Sequence, residues 1–348
     1  MKSGLEDATL TEVSVELKDH VLLGHTSSVC SVAYYQLGQQ LATADEEGKV
    51  FLWNFERDQW VCTEKLRGHT RKVTSLAYNA IGAVASASWD TNICLWEGGI
   101  QDERWVLAQK LRGHTSLVTS VAFSCHNKLA SGGGENCIRL WADDNMDMNW
   151  KCTQVLIGHT DYVHCLDYRQ DGQQLASGSR DGSIRIWEPL NERWICMQEL
   201  QGPDHLVSSV AYSREGKYLA SAGGIDIRLW ESKEGQWACT QVLLGHTRYV
   251  TSVKFNPYGD QLVSGSGDMS IRLWAQQGAQ WACTNVLNGH TGSINSIAFI
   301  NWGTQLASGS SDKSIRIWAL NPCRFFSQEK QEISQSEKNE FGHECYKK

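Results

Sequence analysis

A histidine, a hydroxyl residue and an acidic residue recur together along this chain, and these types can act as base, nucleophile and orienting acid. In one unit they are His159, Ser177 and Asp181, and Trp187 follows. A catalytic triad works at one solvent-accessible place in a protein, whereas this trio is copied many times with a tryptophan that can cap the hydroxyl. The repetition favours a structural hydrogen-bond network, so we expect no enzyme activity.

Metal and nucleotide chemistry lack their usual motifs in the sequence. No CxxC pair occurs, and the adjacent residues His164 and Cys165 have no companion ligands at zinc spacing. Neither GxxxxGK[ST] nor GxGxxG between a strand and a helix is present. We therefore predict no metal ion, no cofactor and no catalytic residue.

The composition is that of an ordinary soluble protein. The 348 residues are 41% hydrophobic and 20% charged, with a net charge of -7. Because phosphate binding depends on clustered Lys and Arg, this balance argues against nucleic acid as the main partner. No long apolar run or signal-peptide core is visible, so we expect no membrane contact and a location in the cytoplasm, with the nucleus as the alternative.

A repeat of about 44 residues organises the chain. The phrase Leu-x-Gly-His-Thr, or a close variant, places its glycine at Gly24, Gly68, Gly113, Gly158, Gly202, Gly245 and Gly289. A second phrase, such as LASGSRDGSIRIW in the fourth unit, recurs with the same period. This steadiness indicates one supersecondary module used seven times.

Each unit predicts four short strands. In the fourth unit these are residues 163–168, 174–179, 183–187 and 194–200, separated by Gly, Asp and Ser turns. No such sheet can bury both faces alone, and radial packing leaves only short edges. The predicted fold class is therefore all-β: a seven-bladed β-propeller with four antiparallel strands per blade, spanning residues 11–321.

At these phrases the sequence resembles the WD-repeat, or β-transducin-type, family over residues 22–319. The resemblance implies a buried chain of His, Ser or Thr, an acid and Trp in each blade. An imidazole can accept from the hydroxyl on one nitrogen and donate to the carboxylate from the other. The matching residues are His25, Thr43, Glu47 and Trp53; His69, Ser86, Asp90 and Trp96; His114, Ser131, Glu135 and Trp141; His159, Ser177, Asp181 and Trp187; His246, Ser264, Asp268 and Trp274; and His290, Ser308, Asp312 and Trp318.

Two features depart from the family pattern. The Trp-Asp dipeptide is absent, since the residue after the strand-three Trp is Asn, Glu or Ala. In blade five Pro203 replaces the histidine, and the turn after Ser221 is one residue shorter, so the acid is lost too. We expect blade five to be the softest blade, by drift in one tolerated repeat or by reshaping for a ligand.

The last unit is one strand short. After Trp318 the polar C-terminal residues 322–348 supply no fourth strand, and we interpret them as a flexible tail. Residues 11–23, which follow an extension over residues 1–10, alternate apolar with polar side chains. We predict that they pair with strand three of blade seven and close the ring, which removes open edges.

The strand-four cysteines Cys62, Cys152, Cys196, Cys239 and Cys283 share a slot that holds Leu107 in blade two. This exchange indicates that the slot needs an apolar side chain, for which a reduced cysteine serves. Disulfides between blades are disfavoured because neighbouring outer strands are too far apart.

The resemblance implies that the loops before strand one and between strands two and three open on one end, the docking face of the family. We predict there a mixed aromatic and basic patch that grips an acidic or phosphorylated peptide, with Arg as a bidentate clamp. The alternative is that these positions hold solvated side chains without a shared role. The patch residues are Arg71, Lys72, Trp89, Leu117, Tyr162, Arg180, Arg248 and Tyr249.

Three functions stay open. The first is a non-catalytic scaffold or adaptor for proteins or peptides, a monomeric propeller within a larger complex. The second is a targeting scaffold of cytosolic iron-sulfur protein assembly, because the phrase Trp-x-Cys followed by Leu-x-Gly-His is similar to that of its WD-repeat member. The third, a propeller enzyme or sugar binder, requires clustered carboxylates in the central channel, and the sequence shows none.

Overall fold

Seven four-stranded antiparallel sheets build the protein. The computed structural model describes residues 20–35, 37, 39–98, 104–143, 149–202, 206–300 and 303–320. The innermost strand of each sheet contacts that of the next, and the last contacts the first, so the sheets form a closed ring. The predicted seven-bladed propeller is confirmed.

The blades follow chain order, except that blade seven takes its outer strand from the N-terminal side. The strands are, for blades one to three, β2 (Val29–Tyr35), β3 (Gln40–Asp45), β4 (Val50–Glu56), β5 (Gln59–Leu66), β6 (Val73–Tyr78), β7 (Val84–Ser88), β8 (Ile93–Gly98), β9 (Trp105–Leu111), β10 (Val118–Phe123), β11 (Leu129–Gly133), β12 (Cys137–Ala142) and β13 (Lys151–Ile157). For blades four and five they are β14 (Val163–Tyr168), β15 (Leu175–Ser179), β16 (Ser183–Leu190), β17 (Arg193–Gln201), β18 (Ser209–Tyr212), β19 (Tyr218–Gly223), β20 (Asp226–Lys233) and β21 (Gln236–Leu243). For blades six and seven they are β22 (Val250–Phe255), β23 (Gln261–Ser266), β24 (Ser270–Gln277), β25 (Gln280–Asn288), β26 (Ile294–Ile300), β27 (Gln305–Ser310), β28 (Ile315–Ala319) and, from the start of the chain, β1 (His20–Leu22).

The hydrophobic core lies between neighbouring blades. One cluster joins Ala176 and Ile184 of blade four to Val210, Leu219 and Trp230 of blade five. Strand two of each blade packs against the innermost strand of the next blade, and many of its residues are Ala, Ser or Gly. At Gly178 in β15 even a Cβ atom would collide with the Val207 side chain of the next blade.

Serine side chains in the innermost strands lock successive blades together. The Ser31 hydroxyl accepts a hydrogen bond from the backbone N–H of Leu76 in the next blade, at 3.0 Å. The same bond repeats elsewhere around the ring, for instance from Val32 of blade one to Ser296 of blade seven, at 3.1 Å. These bonds satisfy buried backbone donors that the four-strand ladders leave open.

The ring closes where the sequence predicts. His20, Val21 and Leu22 pair antiparallel with Ile317, Arg316 and Ile315, so β1 becomes the outer strand of blade seven. Residues 11–19 of the predicted closing strand, the extension over residues 1–10 and the tail from 322 onwards lie outside the described residues.

Strand bounds in blade four agree with the prediction to within a few residues. The innermost strand is predicted and observed at Val163–Tyr168, while β16 and β17 extend slightly past their predicted ends. Within the described ranges no helix has the length and apolarity needed to cross a membrane.

Candidate functional site

The buried polar chains follow from the strand arrangement. In blade four the Trp187 indole N–H donates to the Ser177 hydroxyl at 2.8 Å, and this hydroxyl lies 2.7 Å from Nε2 of His159. The other imidazole nitrogen of His159 lies 2.9 Å from a carboxylate oxygen of Asp181. Because an ionised carboxylate can only accept, Nδ1–H donates to Asp181; in the neutral imidazole Nε2 then accepts from the hydroxyl, which itself accepts from the indole.

Blades two, six and seven repeat this arrangement. In each of them the histidine lies 2.7 to 2.9 Å from both its hydroxyl and its acid. The indole donates to the same hydroxyl at 2.7 to 2.9 Å. The chains are His69, Ser86, Asp90 and Trp96; His246, Ser264, Asp268 and Trp274; and His290, Ser308, Asp312 and Trp318.

Blade one uses a different acid from the predicted one. Asp45, fully buried, accepts from His25 at 2.7 Å, while Thr43 and Trp53 occupy their predicted places. The prediction of Glu47 is wrong: its carboxylate lies at the surface, where it accepts from Thr26 at 2.8 Å and pairs with Lys49. The Asp45 side chain lies in the strand-two slot that other blades fill with Ser or Gly, close enough to reach the imidazole directly.

Asp45→Ala is expected to destabilise the protein by about 2 kcal/mol, because it leaves the His25 Nδ1–H and the turn N–H groups of Glu47 and Lys49 without their acceptor. Glu47→Ala is the matched control two residues away and should change stability by less than about 0.5 kcal/mol. Urea unfolding midpoints measure both. Equal losses of stability in the two variants would indicate that Glu47 belongs to the buried chain and would contradict its assignment to Asp45.

Blade three carries the longer glutamate. The hydroxyl of Ser131 lies 2.7 Å from Nε2 of His114 and accepts from Trp141 at 2.8 Å. Nδ1 of His114 lies 2.9 Å from Oε1 of Glu135, but without the alignment of a hydrogen bond. The same oxygen also accepts from Arg139 at 2.9 Å, so the extra methylene turns the carboxylate partly away from the imidazole.

Among the residues that the structure describes, blade five keeps only the last link of the chain. The Trp230 indole donates to the Ser221 hydroxyl at 2.9 Å. Pro203, which takes the place of the histidine in the sequence, lies outside the described residues. The softness expected of this blade stays a prediction.

Burial and hydrogen bonds shift the pKa values in the chains of blades three, four, six and seven. Burial lowers the pKa of His159, His246 and His290, and it lowers that of His114 to about 4 despite the opposing charge of Glu135. Burial alone would raise the pKa of Asp268, but hydrogen bonds from Ser270 and Thr247 outweigh it and bring it to about 2. In blades four, six and seven the lowered pKa values favour neutral imidazoles, which match the donor order of the chain. The hydroxyls of the chains are fully buried, which keeps substrates from reaching them.

The predicted patch lies at one end of the propeller, which we call the histidine end because it carries the Gly-His-Thr loops and the turns between strands two and three. In every blade except blade five, whose loop is only partly described, a backbone hydrogen bond ties the loop to the turn of its own blade. The N–H of Trp89 donates to Lys72 at 3.0 Å, and that of Arg180 donates to Tyr162 at 2.9 Å. Blade two thus presents Lys72 beside Trp89, and blade four presents Tyr162 beside Arg180.

A cation lies over each of two aromatic rings at this end. The Lys72 ammonium lies 5.3 Å from the Trp89 ring centre, and the Arg180 guanidinium lies 5.9 Å from that of Tyr162. Trp89 is 44% exposed and Tyr249 is 53% exposed, large fractions for aromatic side chains. These side chains can contact a partner without rearranging the fold.

The remaining patch residues differ in their exposure. Arg71 and Arg248 are exposed, and Arg71 lines an open cleft between blades one and two together with Lys72 and Trp89. Leu117 is half-buried and packs over Gly134, so it offers less surface than predicted for a binding residue.

The ion pairs that border the patch were not predicted from the sequence. Glu46 pairs with Lys72 at 3.1 Å, and Asp161 pairs with Arg180 at 3.6 Å. Asp161 directly precedes Tyr162, but the partner of Lys72 belongs to the neighbouring blade, a contact that a single-repeat pattern does not contain. The exposed pairs are weak, so a more strongly charged ligand can replace them.

One acid on an innermost strand was also missed. Asp167 in β14 accepts from the backbone N–H of Tyr212 at 2.8 Å, and Lys254 lies 3.8 Å away. Burial raises its pKa, against the nearby charge of Lys254. It stands at the junction with blade five, where Cys165 replaces the locking serine.

The ten cysteines in the described ranges are free thiols. In the same ranges no group of three or more His, Cys, Asp or Glu side chains is placed to hold a metal ion.

Comparison with known proteins finds a repeat family and distant relatives. The family model described as WD domain, G-beta repeat matches residues 18–54, 60–97, 105–142, 150–188, 194–231, 237–275 and 281–319. The chain is also similar to nuclear distribution protein PAC1 of Fusarium vanettenii, 30% identical over 110 residues, and to that of Arthroderma benhamiae, 28% identical over 111 residues. Each match covers 28% of this chain and 24% of the relative, so the chain matches about a quarter of the length of these curated relatives.

Proposed function

This chain belongs to the WD-repeat family, and we propose that it is a non-catalytic platform that docks partner proteins on the histidine end of its propeller. Propellers of this family typically bind other proteins, and the fold is generally a scaffold. The observations that support the proposal are the cations over the Trp89 and Tyr162 rings and the exposure of Trp89 and Tyr249 at that end. Aromatic side chains and Arg are enriched where binding energy concentrates.

The partner that fits this surface is a peptide with acidic or phosphorylated side chains. Arg71, Arg180 and Arg248 are exposed there, and each guanidinium can hold two oxygens of a phosphate or carboxylate. The neighbouring acids Glu46 and Asp161 neutralise part of this charge in the free protein. A doubly charged phosphate would displace them, since these exposed pairs contribute little.

Affinity purification from the native source tests the proposal. The bait carrying Trp89→Ala, Arg180→Ala and Tyr249→Ala should lose at least about tenfold of the recovered partner, because hot-spot truncations cost about 2 kcal/mol or more each. A matched bait carries Leu190→Ala, Arg193→Ala and Lys233→Ala, exposed residues at the opposite end, and should recover the partner fully. Undiminished recovery by the first bait would refute the patch. Phosphatase treatment of the extract separates phosphorylated from acidic ligands.

A role in cytosolic iron-sulfur protein assembly is the second candidate, and it is supported only by the recurring phrase Trp-x-Cys followed by Leu-x-Gly-His. The same purification decides between the two. Iron-sulfur targeting proteins among the recovered partners would favour this role. Their absence would favour a general docking platform instead.

A further inference from the structure

The geometry points to a second binding site, a cavity between blades two and three at the end opposite the histidines, that takes the cationic side chain of a lysine or arginine from a partner protein. The cavity measures about 230 Å³ and is lined by, among others, Ala83, Glu97, Phe123, Asp143 and Trp150. Pockets for drug-sized ligands start near 300 Å³, so this one suits a single side chain.

The cavity lies where an inter-blade hydrogen-bond chain seen in blades one and four is absent. In blade one, Gln40 donates to Asn54 at 2.9 Å and accepts from Tyr78 of the next blade at 3.0 Å. In blade four, Gln174 likewise donates to Glu188 and accepts from Tyr212 of the next blade at 3.3 Å.

At the junction of blades two and three both partners are replaced by residues that cannot form these bonds. Ala83 stands where blades one and four have Gln, and Phe123 stands where their neighbours have Tyr. An acid is nevertheless present at the third position of this chain, where Glu97 corresponds to Glu188 of blade four. The result is a carboxylate that faces open space instead of an amide.

Glu97 also lacks the neighbouring lysines that the equivalent acid of blade five has. There the equivalent Glu231 has Lys217 at 3.6 Å and Lys233 at 3.7 Å. Among the described residues that line the cavity, none is Lys, Arg or His. Burial and the charge of Asp143 raise the pKa of Glu97. A bound cation would stabilise the ionised carboxylate and so lower this pKa again.

The walls favour an organic cation over a metal ion. Phe123 and Trp150 meet edge to face with ring centres 5.8 Å apart, and Ile81 at the mouth is 56% exposed. Aromatic faces attract ammonium and guanidinium groups, and apolar walls cover the alkyl part of Lys or Arg. The lining carries two carboxylates, and within the described ranges no group of three or more His, Cys, Asp or Glu side chains is placed to hold a metal ion.

The test uses the full chain labelled with 5-fluorotryptophan, in which Trp150→Phe identifies the Trp150 resonance. The probes are N-acetyl-lysine-N-methylamide, its arginine counterpart and the neutral norleucine counterpart. We expect the two cationic probes to shift the Trp150 resonance in a saturable way and the norleucine probe to leave it unchanged. Glu97→Gln should weaken cation binding by about tenfold or more, as expected when a partly buried charge loses its partner.

Two variants complete the design. Ala83→Gln rebuilds the amide of blades one and four inside the cavity and should abolish binding, while its thermal melt reports folding. Glu188→Gln changes the equivalent acid of blade four and should leave the affinity unchanged. A Trp150 resonance that ignores the cations, an equal response to norleucine, or an unaltered affinity of Glu97→Gln would each overturn the site.

Discussion

Deletion of residues 1–22 is expected to destabilise the whole propeller by about 5 kcal/mol, because it removes the strand that joins the two ends of the ring. Leu22 is 6% exposed and packs with Ile315 and Ile317, and losing a buried leucine alone costs about 2 to 5 kcal/mol. The deletion also strips β28 of its three paired residues and leaves it as an open edge. The shift of the thermal and urea transitions measures the loss.

A pair of adjacent substitutions controls for the length of that deletion. Leu22→Ala should cost about 3 kcal/mol, whereas Leu23→Ala, at a residue that is 74% exposed, should cost less than about 0.5 kcal/mol. An unchanged melt after the deletion would mean that blade seven is stable with three strands. The closure drawn from the sequence would then have no energetic role.

Features contained in a single repeat could be predicted from the sequence. The strands of blade four, and the His159, Ser177, Asp181 and Trp187 chain, depend on residue types at spacings that recur unit after unit. Where a unit departs from the pattern, spacing misleads. Glu47 has the regular spacing, yet Asp45 has the shorter path to His25 and takes the bond.

Features that depend on two blades could not be predicted in this way. The serine locks, the pair of Lys72 with Glu46 and the cavity beside Glu97 each join residues more than twenty-five positions apart. A repeat pattern gives the contents of one blade, but the register between blades decides which side chains meet. The exchanges at Ala83 and Phe123 are unremarkable singly and matter only because they face the same cavity.

Trp318→Ala is expected to cost about 3 to 5 kcal/mol, the range for removing a large aromatic from a core. Trp318 is 1% exposed, and its indole donates to Ser308 at 2.7 Å. Truncation leaves a cavity between blades six and seven and removes a donor from the buried chain. Trp89→Ala, at an exposed tryptophan outside the repeat, is the control and should cost less than about 1 kcal/mol. Chemical unfolding of the three proteins measures the difference.

Trp318→Phe separates the hydrogen bond from the packing, since it keeps most of the apolar ring. Combined with His290→Ala in a double-mutant cycle, it should reveal a coupling of about 1 kcal/mol, because the Ser308 hydroxyl links the two side chains. In blade five the sequence has Pro203 in place of this histidine, and Trp230 donates to Ser221, so Trp230→Phe removes that bond in a blade without the family's histidine. A coupling of zero in blade seven would show that indole and imidazole contribute independently, which contradicts a polarised chain through the hydroxyl.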